Sequence, residues 1–585
     1  MGRGKPDIRS RRNALIALFI LFTLVLGLVA FYASPVGNKV ASRIASCEAP
    51  SDYIVPPSWK TWRSTQSSGT RNHVAIPEFY AAVDNQIENI KNGVMFVDRR
   101  GPIQKLSKIE WDDESHGNYY ATQLHGLVGI GTLLRQNKKM PTEVEHAIGT
   151  HIRNWALCSA HNPSLNSRSW YEGTVIKRLS NLLKASEYLD KHASLGNLSR
   201  VELDYLIDLN ASYLLDTPEI YSFGNHGIRQ DMVLAAVALL LPEHPRSNEM
   251  LKLAENRLET AATELFTEEG IWKEHAPGYV YYALWLIDSI RALDNASDEF
   301  NPTKFVSRYD SSMQYLMSVL LPNGDIPYIG SSGAAELRIQ KQQKAKAAEN
   351  NSRTVRHFPD YGHAVVRGDH PDGLYLLFVA SQNLPAGKRH ADDLSFILYK
   401  HGRAWITEGG HQTYELTNMT QYIRSPFAHN TYTLDDRYIA EDARPDLAVR
   451  LLDVSKDKNT ITLRGETERF HKPAKFKREV EVIDYSKVVL RDTLTGKGKW
   501  QGRLHLPIDL SVVIEKGSVV ATSPEGQIMY IRFSSDQPYK LTTCRGQDKP
   551  LCGWVSSKHK IEPATTLLWS FEDSAKMTLD ITWSS

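Results

Sequence analysis

Cysteine and net charge are both scarce in this sequence, and no short repeat of fixed length runs through it. It has four cysteines in 585 residues and a formal net charge of only +2. Four cysteines fit an exported protein with few cross-links. The balanced charge gives no reason to expect nucleic acid as a partner, although a locally basic groove for an acidic ligand remains compatible with it. The lack of a short period argues against a solenoid.

Charge is also missing from one long stretch near the N-terminus, between Ala14 and Tyr32. Nineteen residues with a rise of about 1.5 Å each span about 29 Å, enough to cross the hydrocarbon core of a bilayer. Basic residues precede the stretch, which predicts a cytoplasmic N-terminus and a periplasmic or extracellular location for the rest. Residues 1–35 are therefore predicted to be a basic flank and a transmembrane signal-anchor of a single-pass membrane protein. A cleaved signal peptide is the alternative.

The cysteines suggest one local cross-link. Cys544 and Cys552 enclose the segment CRGQDKPLC, in which glycine and proline favour a turn. A disulfide between them is predicted for an oxidising compartment. Cys47 and Cys158 have no evident partner.

Residues 36–350 have helical periodicity. Apolar residues recur at spacings of three and four in several segments, which are separated by short polar or Pro/Gly breaks: YYATQLHGLVGIGTLL, TVIKRLSNLLKASEYL, MVLAAVALLL, YVYYALWLIDSIRAL and FVSRYDSSMQYLMSVLL. Antiparallel helical hairpins, arranged as a curved stack or ring, account for this pattern.

Residues 351–585 have the periodicity of strands. Alternating or β-rich runs such as TITLRGE, QIMYIRFS and MTLDITW are bounded by Gly, Asp and Asn. Many short strands without helical period predict an antiparallel sandwich. The predicted fold class is therefore a transmembrane anchor, an all-α domain and an all-β domain.

A polar cluster surrounds one predicted hairpin, between Gly387 and Thr431. The runs LSFILYK and RAWIT meet at His401-Gly402, and glycine supplies the positive φ that tight hairpin turns require. Imidazoles, carboxylates and a tyrosine lie at the ends of these strands, which suggests a site: His390, Asp392, Asp393, Glu408, Tyr414 and His429.

Two further polar clusters fall in the helical region. Asn225 and His226 stand where a loop becomes a helix, and Arg229 follows one turn later. Asn225 either caps the helix or, with His226 and the free N–H groups of the helix start, binds an anion. Glu274-His275-Ala276-Pro277-Gly278-Tyr279 precedes another helix, with Pro277 suited to its first turn.

The motifs of these clusters occur in the same order along the chain as in the heparinase II/III-like polysaccharide lyases, which the sequence resembles. That group includes alginate and oligoalginate lyases. The resemblance is carried by NHG at Asn225, EHAPGY ending at Tyr279, HADDLSF starting at His390, the EGGHQTY turn, and R-x4-HNT from Arg424 to Thr431. It implies an α/α toroid followed by a β-sandwich, and β-elimination at a uronic acid of an anionic polysaccharide.

The resemblance also implies residue roles. Asn225 and His226 would neutralise the uronate carboxylate, and Tyr279 would donate a proton to the glycosidic oxygen. A phenol acting as a base needs a nearby cation to lower its pKa, and Arg229 and Lys388 are the candidates. Lys388 departs from the family, which often has histidine there. Substrate-binding roles are predicted for Tyr282, Tyr414 and Arg424.

Some members of the family bind a zinc ion, and the matching residues here are His390, Glu408 and His429. Glutamate stands where those members have aspartate, which keeps an oxygen ligand on a longer arm. Simple hairpin pairing places Glu408 opposite Ser395, so the segment that carries His390 has to fold back for a metal site to form. The sequence predicts either one structural zinc ion or a His–carboxylate hydrogen-bond network in this place.

A lyase is the leading functional prediction, and two alternatives remain open. A uronyl C5-epimerase requires the same proton abstraction but returns a proton to the opposite face. A non-catalytic polysaccharide-binding protein would retain the groove without the chemistry. Fold alone does not decide among them.

Overall fold

A computed structural model gives the fold of the protein. It describes the following residues: 55, 59, 61–62, 74–78, 85–97, 103–107, 109–135, 138–160, 166–332, 353–369, 372–381, 390–413, 417–436, 449–470, 473–515, 517–557 and 560–584. All structural statements below concern these residues.

Helices dominate the chain up to residue 319, as predicted. They are α1 Gln86–Lys91, α2 Gly117–His125, α3 Val128–Leu134, α4 Thr142–Trp155, α5 Glu172–His192, α6 Arg200–Asp216, α7 Asn225–Leu240, α8 Ser247–Glu264, α9 Pro277–Asp294 and α10 Thr303–Val319. A small hairpin, β1 Val94–Phe96 with β2 Ile103–Lys105, interrupts them and was not predicted.

Local chemistry explains where these helices begin and end. Ser199 caps α6 through a reciprocal capping box with Glu202, so two of the free N–H groups at the helix start are satisfied. The apolar stretch at residues 119–134 forms two helices because the chain turns at Gly126 and Leu127, whose φ is +55°. A Cβ on Gly126 would lie 2.7 Å from the carbonyl oxygen of Thr122, so only glycine fits this turn.

Strands fill the chain from residue 354 onward. They are β3 Thr354–Phe358, β4 His363–Arg367, β5 Tyr375–Val379, β6 Ser395–Lys400, β7 Arg403–Ile406, β8 Tyr432–Leu434, β9 Val449–Asp457, β10 Thr460–Thr467, β11 Lys475–Ile483, β12 Lys487–Thr495, β13 Lys499–His505, β14 Ser511–Glu515, β15 Ser518–Thr522, β16 Ile528–Ser535, β17 Lys540–Arg545, β18 Gln547–Asp548, β19 Leu551–Cys552, β20 Trp554–Ser557, β21 Lys560–Pro563, β22 Thr565–Glu572 and β23 Ala575–Trp583. One helix, α11 Asn418–Arg424, lies among them.

Three antiparallel sheets share one apolar core. Their strand orders are β14-β15-β16-β23-β12-β11-β10-β9, β17-β22-β13-β8 and β3-β4-β5-β6-β7. Buried side chains from all three sheets form a single cluster, because alternate residues of each strand face inward. Strand β11 shows this alternation along almost its whole length.

The predicted hairpin is confirmed. Strand β6 pairs with β7 through Lys400 and Arg403, and the turn residues His401 and Gly402 both have positive φ. A bulge between Leu398 and Tyr399 shifts the register, a feature that the sequence did not indicate.

The described residues divide into two compact units. The first contains the residues up to Ala254 and Asn295–Phe300; the second contains Glu255–Asp294 and everything from Asn301. Helices α9 and α10 thus belong to the same unit as the sheets. The predicted domain division at residues 350 and 351 stays a prediction.

The fold class has to be corrected at the N-terminus. No helix in the described ranges is both long enough and apolar enough to cross a membrane. Among the described residues, the architecture is a helical part followed by a β-rich part. The apolar stretch between Ala14 and Tyr32, on which the predicted transmembrane anchor was based, lies outside the described residues.

The predicted disulfide is confirmed, and one further cysteine is also disulfide-bonded. Cys544 and Cys552 form a disulfide. Cys158, for which the sequence indicated no partner, is also disulfide-bonded.

Candidate active site

In the first unit, His226 contacts a carboxylate that was not predicted. Its Nδ1 lies 3.0 Å from an oxygen of Glu172, the first residue of α5. The His226 side chain is 38% exposed and that of Glu172 is 11% exposed, so the imidazole faces solvent while its partner is largely enclosed. Glu172 thus holds the ring at Nδ1 and leaves Nε2 directed elsewhere.

The side chain of Glu172 is a carboxylate that holds His226 in position. Burial alone would raise the pKa of Glu172, but hydrogen bonds from His226 and Tyr171 outweigh it and lower the pKa. Burial and the bond to Glu172 raise the pKa of Tyr171 to about 12, so this phenol stays a hydrogen-bond donor at neutral pH. The buried Arg178 holds the loop before Glu172 in place, because it donates a hydrogen bond to the carbonyl oxygen of Ser169 at 2.8 Å.

Asn225 does not cap its helix. Gly224 occupies the cap position of α7, with φ +138°, and Asn225 is the first helical residue. Within the described ranges its carboxamide forms no hydrogen bond. Asn225 is therefore not the cap of α7, and its anion-binding role stays a prediction. Of the first N–H groups of the helix, that of Gly227 donates to the carbonyl oxygen of Ser222 at 2.8 Å.

The glycine of the NHG motif has a packing role. A Cβ on Gly227 would lie 2.6 Å from the ring of Tyr221 and 2.6 Å from the carbonyl oxygen of Ser222. Tyr221 in turn donates to Asp231 at 3.0 Å. The motif thus fixes the start of α7 against the preceding loop. Arg229 lies one turn along α7, and its charge acts on Tyr171.

In the second unit, Tyr279 lies in the first turn of α9, which begins at Pro277 as predicted. The backbone N–H of Gly278 donates to Ser332 at 2.9 Å and fixes this turn. Tyr279 is half-buried. Its ring is 6.4 Å from that of Tyr282, which stacks on Trp285 at 5.4 Å. Residues three apart share a helix face, so these rings form an aromatic row along α9.

The histidines of the HADD and HNT motifs are brought together in the same unit. The rings of His390 and His429 are 5.5 Å apart, so the HADD segment folds back as a metal site would require. Leu394, with φ +57°, makes this reversal, and Ser395 closes it with a bond to the carbonyl oxygen of Asp392 at 3.0 Å.

Glu408 pairs with His429. One carboxylate oxygen bonds to His429 Nδ1, and the other accepts from Ser395 and from Asn430. Burial opposes charge on His429, but Glu408 outweighs it and raises the pKa of the imidazole. Burial, followed by the charge of His429, lowers the pKa of His390, which remains neutral.

These contacts form a hydrogen-bond network around Glu408. His390 Nδ1 and His429 Nε2 are buried without hydrogen-bond partners, yet no group of three His, Cys, Asp or Glu side chains among the described residues is arranged to hold a metal ion. Glu408 is committed to its protein partners. Zinc binding by His390, Glu408 and His429 stays a prediction, and no step proposed below passes through a metal.

One buried ion pair holds both motif segments in place. Arg478, on β11, donates twice to Asp492, at 2.8 and 2.9 Å, and also to the carbonyl oxygens of Leu394 and Asn430, at 2.7 and 2.6 Å. Four hydrogen bonds thus use most of its five N–H donors in the core. Arg478 was not predicted, because nothing in the sequence near it marks it as different from the exposed Arg491 on the neighbouring strand β12.

Three of the predicted site residues remain to be placed. Arg424 ends helix α11, its carbonyl oxygen accepts from the backbone N–H of Ala391 at 3.0 Å, and its charge acts on His390. Lys388 and Tyr414 lie outside the described residues. Their predicted roles stay predictions.

Comparison with known proteins identifies the family. Residues 70–361 match the family model described as "Heparinase II/III N-terminus". Residues 350–584 match the family model described as "Heparinase II/III-like, C-terminal". No curated protein sequence matches the chain significantly.

Solved structures of similar fold agree with this. Heparan sulfate lyase HepC from Pedobacter heparinus has 16% identity and a TM-score of 0.64, with 85% of this chain and 82% of that chain covered. A heparinase III has 15% identity and a TM-score of 0.69, with 88% of each chain covered. At such identities the likeness shows a shared fold, while the two family matches cover most of the sequence. The chain belongs to the heparinase II/III-like family.

Proposed function

We propose that the protein is a polysaccharide lyase that cleaves a uronic-acid-containing polymer by β-elimination. The observation that carries the proposal is the start of α7. There the Asn225 carboxamide has no hydrogen bond to any described residue, and His226 Nδ1 lies 3.0 Å from Glu172. The similar structures include a heparan sulfate lyase, which is consistent with an anionic polysaccharide as the substrate.

The chemistry explains why such a site is needed. The C5 proton of a uronate is weakly acidic while the adjacent carboxylate is ionised, so the charge that develops on that carboxylate must be stabilised. Asn225, His226 and the N-terminus of α7 supply hydrogen-bond donors for it. A base removes the C5 proton, the C4–C5 double bond forms, and the C4–O4 bond breaks with its electron pair remaining on O4.

Tyr279 is proposed to protonate the departing O4. It is a half-buried phenol at the start of a helix, and Tyr282 and Trp285 beside it offer flat faces for sugar rings. The enzyme is further proposed to act in a periplasmic or extracellular compartment, which the Cys544–Cys552 disulfide supports.

The test is a panel of uronate polymers, including alginate, glucuronan, heparan and chondroitin types. A β-elimination product absorbs in the ultraviolet through its C4–C5 double bond. We expect an absorbance increase with at least one polymer, and a loss of about a hundredfold or more in Tyr279→Phe. Tyr281→Phe is the matched control, because Tyr281 lies on the same helix outside the proposed site and the change also removes one phenol oxygen and keeps the ring.

Two results would overturn the lyase proposal. Deuterium entering C5 from heavy water without any absorbance increase would indicate an epimerase. Binding of a polymer without either reaction would indicate a non-catalytic binding protein.

A further inference from the structure

Lys177 is a buried lysine that the proposed chemistry does not use. It lies on α5 and is only 9% exposed. Within the described ranges it forms no hydrogen bond and no ion pair. Its ammonium nitrogen is not fully enclosed, so solvent reaches the tip of the side chain.

A second buried lysine on the same helix shows how unusual this is. Lys184, two turns further along α5, is 5% exposed and pairs with Glu78 at 2.8 Å. That is the usual arrangement, because a buried charge without a partner is costly. Lys177 is buried to a similar extent but has no acidic partner among the described residues.

The charge of Arg229 acts on Lys177, and it also acts on Tyr171, six positions earlier in the chain. Arg168 lies over the ring of Tyr171, 4.8 Å from its centre, and the charges of both Arg168 and Arg229 act on that phenol. The acidic group that acts on Lys177 is Glu172, which already accepts hydrogen bonds from His226 and Tyr171. Glu172 is therefore engaged elsewhere and gives Lys177 no direct partner.

This environment acts on Lys177 itself. Burial, and then the charge of Arg229, lower the pKa of Lys177 to about 7, while Glu172 opposes the shift. A bound anion would favour the charged ammonium and reverse the effect. Lys177 is therefore a cation that a negative ligand would stabilise.

We propose that Lys177 and Arg229 form an anion subsite for a sulfate or carboxylate group of the polysaccharide. That group is distinct from the carboxylate that Asn225 and His226 neutralise. The subsite would make the enzyme select polymers that carry a further anionic group besides that carboxylate. The inference rests on the proposed function for its ligand, although the subsite can be tested without turnover.

The first test measures binding in the Tyr279→Phe background, which prevents turnover. The probes are fluorescent heparan-type oligosaccharides, sulfated and chemically desulfated. We expect Lys177→Met in the full chain to weaken binding of the sulfated probe about tenfold or more, since a charge-assisted hydrogen bond is lost. Lys177→Arg should retain most of the affinity. Lys191→Met is the matched control, an exposed position on the same helix about 21 Å away.

The pattern of loss identifies the group that is bound. A loss confined to the sulfated probe assigns the subsite to sulfate, and an equal loss for both probes assigns it to carboxylate. Unchanged binding of both probes would overturn the proposal, as would an equal loss in Lys177→Arg, which would indicate a packing role.

A second measurement uses the unmodified full chain. Amine acylation near pH 7.5, followed by peptide mass spectrometry, reports the reactivity of each lysine, and inorganic sulfate is the probe. We expect sulfate to protect Lys177 and not Lys191. Equal labelling of Lys177 with and without sulfate would contradict the subsite. A chain that shows this protection but yields no unsaturated product would overturn the proposed lyase activity and leave the anion subsite standing.

Discussion

Asn225 is the residue whose substitution best separates function from stability. It is the first residue of α7 but not its cap, and its side chain has no hydrogen bond within the described ranges. Asn225→Asp keeps the shape and replaces a donor by a negative charge that repels a uronate. We expect kcat/KM to fall about a hundredfold or more. The melting temperature should stay unchanged or rise, because an acidic side chain suits a helix N-terminus.

Asn225→Ala completes that comparison. It removes the donor without adding repulsion, so its activity should lie between those of the wild type and Asn225→Asp. If Asn225→Asp melted at a much lower temperature than Asn225→Ala, the residue would have a structural role that the helix start does not show.

Glu269 makes stability depend on pH. Its carboxylate accepts from the backbone N–H of Tyr361 at 3.2 Å, and burial followed by the charge of Asp360 raises its pKa to about 7. The folded state therefore holds this proton up to about pH 7, whereas the unfolded state releases it near the ordinary pKa of 4.5. Stability from this group is present below the lower value and is lost as the pH rises through the higher one.

Glu269→Gln should remove this loss. We expect the variant to be more stable than the wild type at pH 8 by about 1 kcal/mol, a figure reduced for the partial exposure of the group. The difference should shrink toward pH 5. Urea unfolding of both proteins at the two pH values measures it, with Glu268→Gln as the control on the exposed neighbouring position. A gain that is equal at both pH values would contradict the assignment.

At the scale of elements, the disulfide stabilises a hairpin that packs beside the candidate site. Cys544 and Cys552 close a loop next to the β20–β21 hairpin. That hairpin bonds to the EGGHQTY turn, since Ser556 donates its N–H to Gly409 and its hydroxyl to His411. Its apolar side packs against the residues of α11.

Replacing both cysteines by serine should therefore affect activity as well as stability. A closed loop of this size contributes about 2–3 kcal/mol. We expect a lower melting temperature and reduced lyase activity in the double variant, and the same changes when the wild type is treated with a thiol reductant. A double variant with unchanged activity at a temperature well below its melting point would contradict the link between the hairpin and the site.

Elements were predictable where one local rule determined them. Hairpin β6–β7 follows from two β-rich runs around a glycine, and the start of α9 follows from Pro277. Partners distant in sequence were not predictable. Glu172 lies 54 positions from His226, and only the packing of α5 against α7 brings the two side chains together. Arg478 could not be predicted for the same reason, because its partners come from three separate segments.

At the scale of the whole molecule, the change from helices to strands is not the boundary between the compact units. The second unit contains α9 and α10 as well as the sheets. Side chains of the sheet nearest to them depend on these helices. Tyr315 of α10 bonds to His363 at 2.9 Å, and Tyr375 donates to the carbonyl oxygen of Val319 at 2.7 Å. Tyr361 stacks on His275, just before α9, at 5.3 Å.

The β-rich region on its own should therefore be a poor folding unit. In a piece comprising residues 351–585, His363 and Tyr375 lose buried partners, and each such loss costs about 1–3 kcal/mol in addition to the apolar surface exposed. We expect this piece to bind hydrophobic dyes and to melt at least about 10 °C below a piece comprising residues 247–585, which keeps α8, α9 and α10. Thermal unfolding followed by circular dichroism compares the two. Equal melting temperatures would show that the sheets carry their own stability and that the helices contribute only to the site.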